Sequence, residues 1–278
     1  MTMSINEITS FLRDIGFDAI TVSSGLTEKL AAQPMIIFDH LSYPGVESHI
    51  VTAANCALWD AKLDDTGDVI VYYPESTDTT DHVIAWRRLL EVLSELSGLL
   101  GTYRNRVLAG HLPRTIWAHH EIEWYRDLRK APYHEKQDVS TFIDYVDPSI
   151  RKHVTDLNNY GFDTIESCSG LPQDHPNRDA YSPYVMLHER AYPGCIPHFF
   201  TLADIADWIP SYAPHNFDVY IRIQQHYPIR EAWNRLTKSA RILHTLLKSY
   251  CRLMRSEYSR IDELDILHDS LGNALVKR

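Results

Sequence analysis

Long apolar runs, paired cysteines and low-complexity tracts are all missing from this 278-residue sequence. No apolar run approaches the roughly 20 residues that a bilayer-spanning helix needs. Charged residues interrupt the N-terminal segment before an apolar run develops, which argues against a signal peptide. Four scattered cysteines without a Cys-x-x-Cys pair favour a reduced compartment over a disulfide scaffold. We therefore expect a cytoplasmic globular protein with no membrane partner.

The net charge of −10 argues against a generic nucleic-acid binder, but the charge is unevenly distributed. Residues 1–110 carry 7 basic and 15 acidic side chains, whereas residues 146–260 carry 13 and 12. Residues 230–260 contain eight basic and two acidic side chains, which gives this segment a net charge of +6. This basic helix is a candidate contact for tRNA phosphates. The alternative is a solvated helix face that is paired with acidic parts of the same chain.

Two similar phrases indicate an internal repeat. "GFDAITVSSGL" (16–26) and "GFDTIESCSGL" (161–171) share seven of eleven residues, and four further peptide matches follow in the same order. The offset stays between 145 and 150 throughout, which predicts a tandem duplication. The predicted organisation is a first lobe (1–110), a connector (111–145), a second lobe (146–260) and a C-terminal tail (261–278).

Each lobe shows the same order of periodic segments, which predicts the elements α-β-β-α-β-α. The first helix of each lobe ends at a glycine, Gly16 or Gly161, as helices commonly do. A short helix is expected to carry Trp59 or Trp208, and a long amphipathic helix closes each lobe. Helices between strands predict an α/β protein, with α+β as the alternative, in which each lobe is a small mixed sheet with packed helices.

The connector contains a group of histidines and glutamates that resembles a metal site. Adjacent histidines such as His119 and His120 point to different sides of a helix or strand and rarely chelate one ion together. We therefore expect the aromatic residues of the connector to dock it on a lobe instead.

Cys168 is the main difference between the two repeated phrases, because Ser23 takes its place in the first lobe. The shared Ser-Gly pair suits a tight turn after a strand, so the turn itself does not require the cysteine. The second lobe continues with a longer and more polar loop that contains Asp174 and His175. Such loops often carry ligand sites, which makes the second lobe the predicted working copy. A buried structural thiol is the alternative for Cys168.

Three chemistries suit this loop. A nucleophilic Cys168 with His175 as its base is one. A cradle is another, in which the turn 167–170 offers backbone N–H groups and hydroxyls to a small molecule or phosphate. A zinc site is the third, because five thiol and imidazole groups fall within 31 residues: Cys168, His175, His188, Cys195 and His198.

The phrase "NNYGFDTIESCSG" resembles the signature of the tRNA wybutosine-synthesising methyltransferase family, which carries a Ser-Cys-Ser-Gly turn after a short strand. The resemblance covers about 15 of the 278 residues, and Leu171 stands where that family usually has a basic residue. It implies a methyl transfer that depends on S-adenosylmethionine and acts on a nucleotide or tRNA base. It also implies that the pocket is lined by Thr164, Ser167, Cys168, Ser169 and Gly170.

We therefore expect a methyltransferase-like protein that takes a small molecule or nucleotide, with S-adenosylmethionine as cofactor and zinc as a second candidate. The alternative is a non-catalytic protein that binds a small molecule or a metal. No residue is assigned to a metal. The predicted catalytic residues are Cys168, Asp174 and His175, and the predicted ligand-binding residues are Thr164, Ser167, Ser169, Gly170 and His188.

Overall fold

The computed structural model describes residues 4–23, 34–73, 79–110, 138–176, 182–188, 194–213, 218–223 and 227–275. In the first lobe the elements are α1 (Ile5–Asp14), β1 (Ala19–Ser23), β2 (Met35–Phe38), α2 (Val46–Ala57), β3 (Asp60–Leu63), β4 (Val69–Tyr72), α3 (Thr79–Leu99) and α4 (Gly101–Leu108). Within these ranges, no helix combines the length and the apolar character that crossing a bilayer requires.

The second lobe repeats this order after three short 3-10 turns between residues 139 and 150. Its elements are α5 (Arg151–Asn159), β5 (Thr164–Cys168), β6 (Tyr184–His188), α6 (Ile196–Ala206), β7 (Trp208–Ala213), β8 (Asp218–Ile223) and α7 (Ile229–Leu275). Helix α7 extends well beyond its predicted end and includes most of the segment predicted as a tail. His119 and His120, together with the rest of the connector up to residue 137, lie outside the described residues.

Each lobe contains one four-stranded sheet, with the orders β1-β2-β4-β3 and β5-β6-β8-β7. The mixture of helices and strands is confirmed, and the two lobes share their topology. The prediction of mixed sheets was wrong, because every described strand pair is antiparallel. The predicted helix is present as α2 and α6, but it ends before Trp59 and Trp208. Trp59 directly precedes an additional strand, β3, and Trp208 is the first residue of another, β7. A short connection such as residues 64–68 allows only antiparallel pairing of the strands that it joins.

Glycines end the first helix of each lobe, as the sequence predicts. Gly16 and Gly161 follow α1 and α5 with φ angles of 83° and 84°. This left-handed conformation is the usual end of an α-helix, and glycine adopts it without a steric penalty. A side chain at residue 16 would also collide with the guanidinium group of Arg104.

The two lobes meet where helices α2 and α6 pack against each other. Both helices are buried almost completely, and three polar pairs join them. The Thr52 and Thr201 hydroxyls lie 2.8 Å apart at the centre. On either side, His49 Nε2 lies 2.7 Å from Asp204 Oδ2, and Asn55 Nδ2 lies 2.9 Å from His198 Nε2.

These three pairs follow an approximate two-fold symmetry. His49 and His198 are 149 positions apart, as are Thr52 and Thr201, and so are Asn55 and Asp204. His49 therefore pairs with Asp204 and its counterpart His198 pairs with Asn55. The two equivalent positions 55 and 204 carry an amide in the first lobe and an acid in the second. This symmetry is consistent with the predicted tandem duplication, which stays a prediction.

The His49–Asp204 pair predicts a strong contrast between two substitutions. Asp204→Ala removes the partner of the buried His49 Nε2 atom and should lower the free energy of unfolding by about 1–3 kcal/mol. Asp204→Asn recreates the Asn–His pair that already exists at Asn55 and His198, and should cost less than half as much. Urea unfolding of the full chain measures both values. Equal losses for the two variants would contradict this account.

Glu47 is a buried carboxyl group on α2 with a raised pKa. Its side chain is 2% exposed, and its Oε2 atom has no hydrogen-bond partner among the described residues. Burial raises the pKa of Glu47 to about 7, against a smaller lowering by its own backbone N–H and by His40. The folded chain therefore holds a proton at this site where the unfolded chain has lost it.

This proton linkage predicts how Glu47→Gln changes stability with pH. The wild-type chain should lose stability relative to the variant as pH rises from about 4.5 to about 7. Above that window the difference should be constant, after a change of about 3 kcal/mol in favour of the variant. Unfolding curves at several pH values measure the difference, with the exposed Glu91→Gln variant as control. A pH-independent difference would refute the buried, protonated carboxyl.

Candidate functional site

The Ser-Cys-Ser-Gly turn closes strand β5 and is anchored to helix α7. Gly170 has a φ angle of 68°, which confirms the predicted left-handed turn. The indole nitrogen of Trp233 donates to the carbonyl oxygen of Ser169 at 3.4 Å. The hydroxyl of Ser169 accepts a hydrogen bond from the N–H of Leu171 at 3.1 Å. The turn therefore presents Cys168 at a fixed position.

Asp147 reaches the same turn from the segment before α5. It precedes Pro148, which favours an extended backbone at Asp147 before the 3-10 turn Pro148–Ile150. Its Oδ2 atom accepts a hydrogen bond from the N–H of Ser169 at 2.7 Å. This contact holds the carboxylate beside Cys168, although the two residues are 21 positions apart.

His175 completes a cluster of three side chains. A backbone hydrogen bond of 3.1 Å from its N–H to the carbonyl of Pro172 turns the loop back toward β5. Its Nε2 atom lies 3.3 Å from the Sγ atom of Cys168 and 3.0 Å from Oδ2 of Asp147. All three donor atoms lie within 4.8 Å of one another. We call this group the Asp-Cys-His cluster.

The spacing of these atoms resembles the edges of a metal coordination polyhedron. Bonds to Zn²⁺ of about 2.0–2.3 Å at tetrahedral angles place ligand atoms about 3.3–3.6 Å apart. The two distances at Nε2 are within a few tenths of an ångström of those edges. A nucleophilic triad would place the thiol and the carboxylate on opposite ring nitrogens. Here both contact the same nitrogen, which favours the metal interpretation.

The electrostatics of Cys168 also oppose an activated nucleophile. Burial raises the pKa of the Cys168 thiol, and Asp147, Asp174 and Glu166 raise it further. The N–H of Gly170 donates to the sulfur and opposes this shift. A reactive thiolate needs a lowered pKa, whereas a bound metal ion deprotonates a thiol by direct coordination.

Asp174 lies beside the cluster but outside it. Its carboxylate accepts a hydrogen bond from the Ser149 hydroxyl. Burial acts to raise the pKa of Asp174, but hydrogen bonds from Ser149 and Ser169 outweigh it, and the pKa is lowered. Asp174 is therefore an ionised group that adds negative charge beside the Asp-Cys-His cluster.

Two predicted ligand-binding residues lie far from Cys168. Cys168 pairs with Tyr184 at one end of the β5–β6 ladder, whereas Thr164 and His188 lie at the other end. His188 lies four positions along β6 from Tyr184, which is about 13 Å. Thr164 is buried and bonds Asn158, so its environment is that of a structural residue.

The other proposed zinc ligands are also separated from the cluster. Cys195 is buried and directs its sulfur toward the carbonyl oxygen of His188 at 3.9 Å. His198 lies in the contact between the lobes and pairs with Asn55. Only Cys168 and His175 of the five predicted ligands come together.

The turn itself has fewer donors for a ligand than the cradle hypothesis needs. The N–H of Ser169 is bonded to Asp147, and the N–H of Gly170 is bonded to Cys168. Ser167 is half-buried in β5, opposite Val185. The backbone of the turn therefore orients the Asp-Cys-His cluster.

A second group of possible cation ligands occurs in the first lobe. His40 Nδ1 lies 2.7 Å from Oδ1 of Asp68 and 4.0 Å from Oδ1 of Asp39. Both carboxylate oxygens already accept backbone hydrogen bonds, from Leu41 and from His40 itself. Asp147 accepts a backbone hydrogen bond in the same way, so the difference between the two groups is the thiol, which this one lacks.

The predicted basic helix is partly used inside the protein. Trp233, Leu236 and Ala240 form its buried face. Arg235 lies 3.9 Å from the buried carboxylate of Asp207 and covers the ring of Tyr227. Part of the positive charge that is predicted to contact tRNA phosphates therefore stabilises the fold. A contact with tRNA stays a prediction.

Comparison with known protein families, with curated proteins and with solved structures finds no match to this chain. The function must therefore be argued from the geometry of the site.

The structure predicts that Cys168 contributes little to folding. The first lobe makes the corresponding strand with Ser23, so Cys168→Ser should change the free energy of unfolding by about 1 kcal/mol or less. Thr164→Val should cost more, because it leaves the buried amide of Asn158 with one partner fewer. Thermal denaturation compares the two variants. Unfolding of Cys168→Ser at ordinary temperature would contradict this prediction.

Proposed function

We propose that the protein is a metal-binding protein whose second lobe holds one divalent ion, preferably Zn²⁺, at Asp147, Cys168 and His175. The convergence of a thiol, an imidazole and a carboxylate within 4.8 Å carries this proposal. Thiolate and imidazole ligands together favour zinc over magnesium or calcium, which prefer oxygen ligands.

Three protein ligands would leave one coordination position open. Structural zinc sites usually have four protein ligands, whereas catalytic sites keep a position for water or substrate. The side chains of Asp147 and His175 are 18% and 19% exposed, so solvent reaches the cluster. The proposed role of the ion is therefore to polarise a bound molecule or a water, rather than to hold the fold.

Charge balance supports the same proposal. The thiolate of Cys168 and the carboxylate of Asp147 would neutralise a divalent ion, and Asp174 would add a nearby negative charge. Because the ion must displace the thiol proton, zinc affinity should rise with pH.

Methyl transfer to a nucleotide or tRNA base, with S-adenosylmethionine as donor, is the second candidate. The turn on which the resemblance depends is the turn that carries Cys168, and the half-buried rings of Tyr184 and Tyr220 stack beside it. A base could stack on such rings. Calorimetry with S-adenosylmethionine tests this candidate separately from metal binding.

Zinc titration of the metal-free full chain tests the leading proposal. We expect one ion per chain, with affinity at least 100-fold weaker after Cys168→Ser, His175→Asn or Asp147→Asn. Cys251→Ser and His188→Ala are matched controls that should bind zinc as the wild type does. Co²⁺ should give a sulfur-to-metal charge-transfer absorption that Cys168→Ser removes. Full zinc affinity in the Cys168→Ser variant would refute the site.

A further inference from the structure

The outward face of the second sheet adjoins the Asp-Cys-His cluster. Cys168 on β5 lies opposite Tyr184 on β6, and Tyr184 lies opposite Arg222 on β8. In an antiparallel sheet, residues directly opposite each other point to the same face. The buried Val185 and Leu187 show that the alternate residues of β6 face the core. Cys168, Tyr184 and Arg222 therefore form one row on the outer face.

Two tyrosines form the middle of this face. The rings of Tyr184 and Tyr220 are stacked with centroids 4.8 Å apart, and both side chains are half-buried. The hydroxyl of Tyr184 donates to the carboxylate of Glu166, which fixes the orientation of its ring. These contacts give a rigid aromatic surface beside the cluster.

Arg222 supplies a positive charge at the far side of the same face. Its guanidinium lies 4.9 Å from the centroid of the Tyr220 ring, and the residue is exposed. No ion pair joins it to a carboxylate within the described part of the chain. At the opposite side, Asp147, Glu166 and Asp174 surround Cys168. The face therefore changes from acidic to basic across about 10 Å, the width of two strand spacings.

The first sheet has the same topology but lacks this arrangement. In its corresponding row, Ser23 lies opposite Met35, which lies opposite Tyr72. Ile70 takes the place of Tyr220. The core-facing residues of β2, β4, β6 and β8 are apolar, so on these four strands the lobes differ at the outer faces.

We propose that this face binds a planar aromatic molecule that carries a carboxylate or phosphate group, with the anion on Arg222, the ring on Tyr184 and Tyr220, and the opposite edge toward the metal ion. The proposal rests on the metal site proposed above. A guanidinium binds carboxylate and phosphate through paired N–H groups, and aromatic rings stack on tyrosine. The acidic side repels the anion and so sets the direction in which the molecule lies.

Calorimetry on the zinc-loaded full chain tests this proposal with two anions, adenosine 5′-monophosphate and 4-hydroxybenzoate. Their uncharged counterparts, adenosine and phenol, have the same rings without the anionic group. We expect at least one anion to bind at one per chain, and at least tenfold more tightly than its counterpart. The anion that gains this factor over its own uncharged counterpart identifies the ligand group as a phosphate or a carboxylate.

Arg222→Gln should weaken that binding about tenfold or more. Lys62→Gln is the matched control, because Lys62 lies over the ring of Tyr72 on the outer face of the first sheet, at 5.6 Å. Equal binding by wild type and Arg222→Gln, or no binding of either anion by wild type, would overturn the proposal.

Zinc content is measured first for each variant, which separates the two proposals. If the wild type holds no zinc, the metal proposal fails by itself. The same anion titrations on the metal-free chain then decide the role of Arg222 alone. Normal zinc content in Arg222→Gln with lost anion binding would support both proposals.

Discussion

The contact between α2 and α6 is the constraint on which the rest of the structure depends. Each helix is enclosed by its own sheet and by the other lobe, so neither has a solvent face to carry its polar residues. The polar residues instead pair across the contact, as His49 with Asp204 and Thr52 with Thr201. A buried polar group without a partner is costly, so these pairs permit few alternative arrangements of the two helices. This contact fixes how the lobes are joined and leaves the outer faces of both sheets free to differ.

The candidate site shows how such a difference arises without a change of fold. Both lobes have the same strand order, and the core-facing residues of β2, β4, β6 and β8 are apolar. In the second lobe, Cys168 ends the first strand, and a longer loop returns His175 to it. Asp147 arrives from the segment before the lobe's first helix. Three pieces of chain that are not adjacent in sequence therefore converge at one end of one sheet, which suits a metal ion with an open position.

The sequence predicts the elements more successfully than it predicts the site. Periodicity and terminal glycines identify the helices, and the Ser-Gly pair identifies the turn at Gly170, because these signals are local. The strands β3 and β7 are missed because each begins within three residues of the end of a buried helix, and the turn between them is made by Leu58 or Asp207 rather than by glycine or proline. Asp147 is missed because only the folded chain brings it to Ser169. His188 follows Cys168 by 20 positions, and antiparallel pairing places it at the other end of the ladder. The one available clue to Asp147 is its position before Pro148, which marks a turn but not a ligand.

X-ray absorption at the zinc edge of the zinc-loaded full chain tests the central claim most directly. The account predicts one sulfur ligand at about 2.3 Å, with the remaining ligands nitrogen or oxygen at about 2.0–2.2 Å. It also predicts that the sulfur contribution disappears in the Cys168→Ser variant. A shell without sulfur, or with two or more sulfur atoms, would contradict a centre built from Asp147, Cys168 and His175.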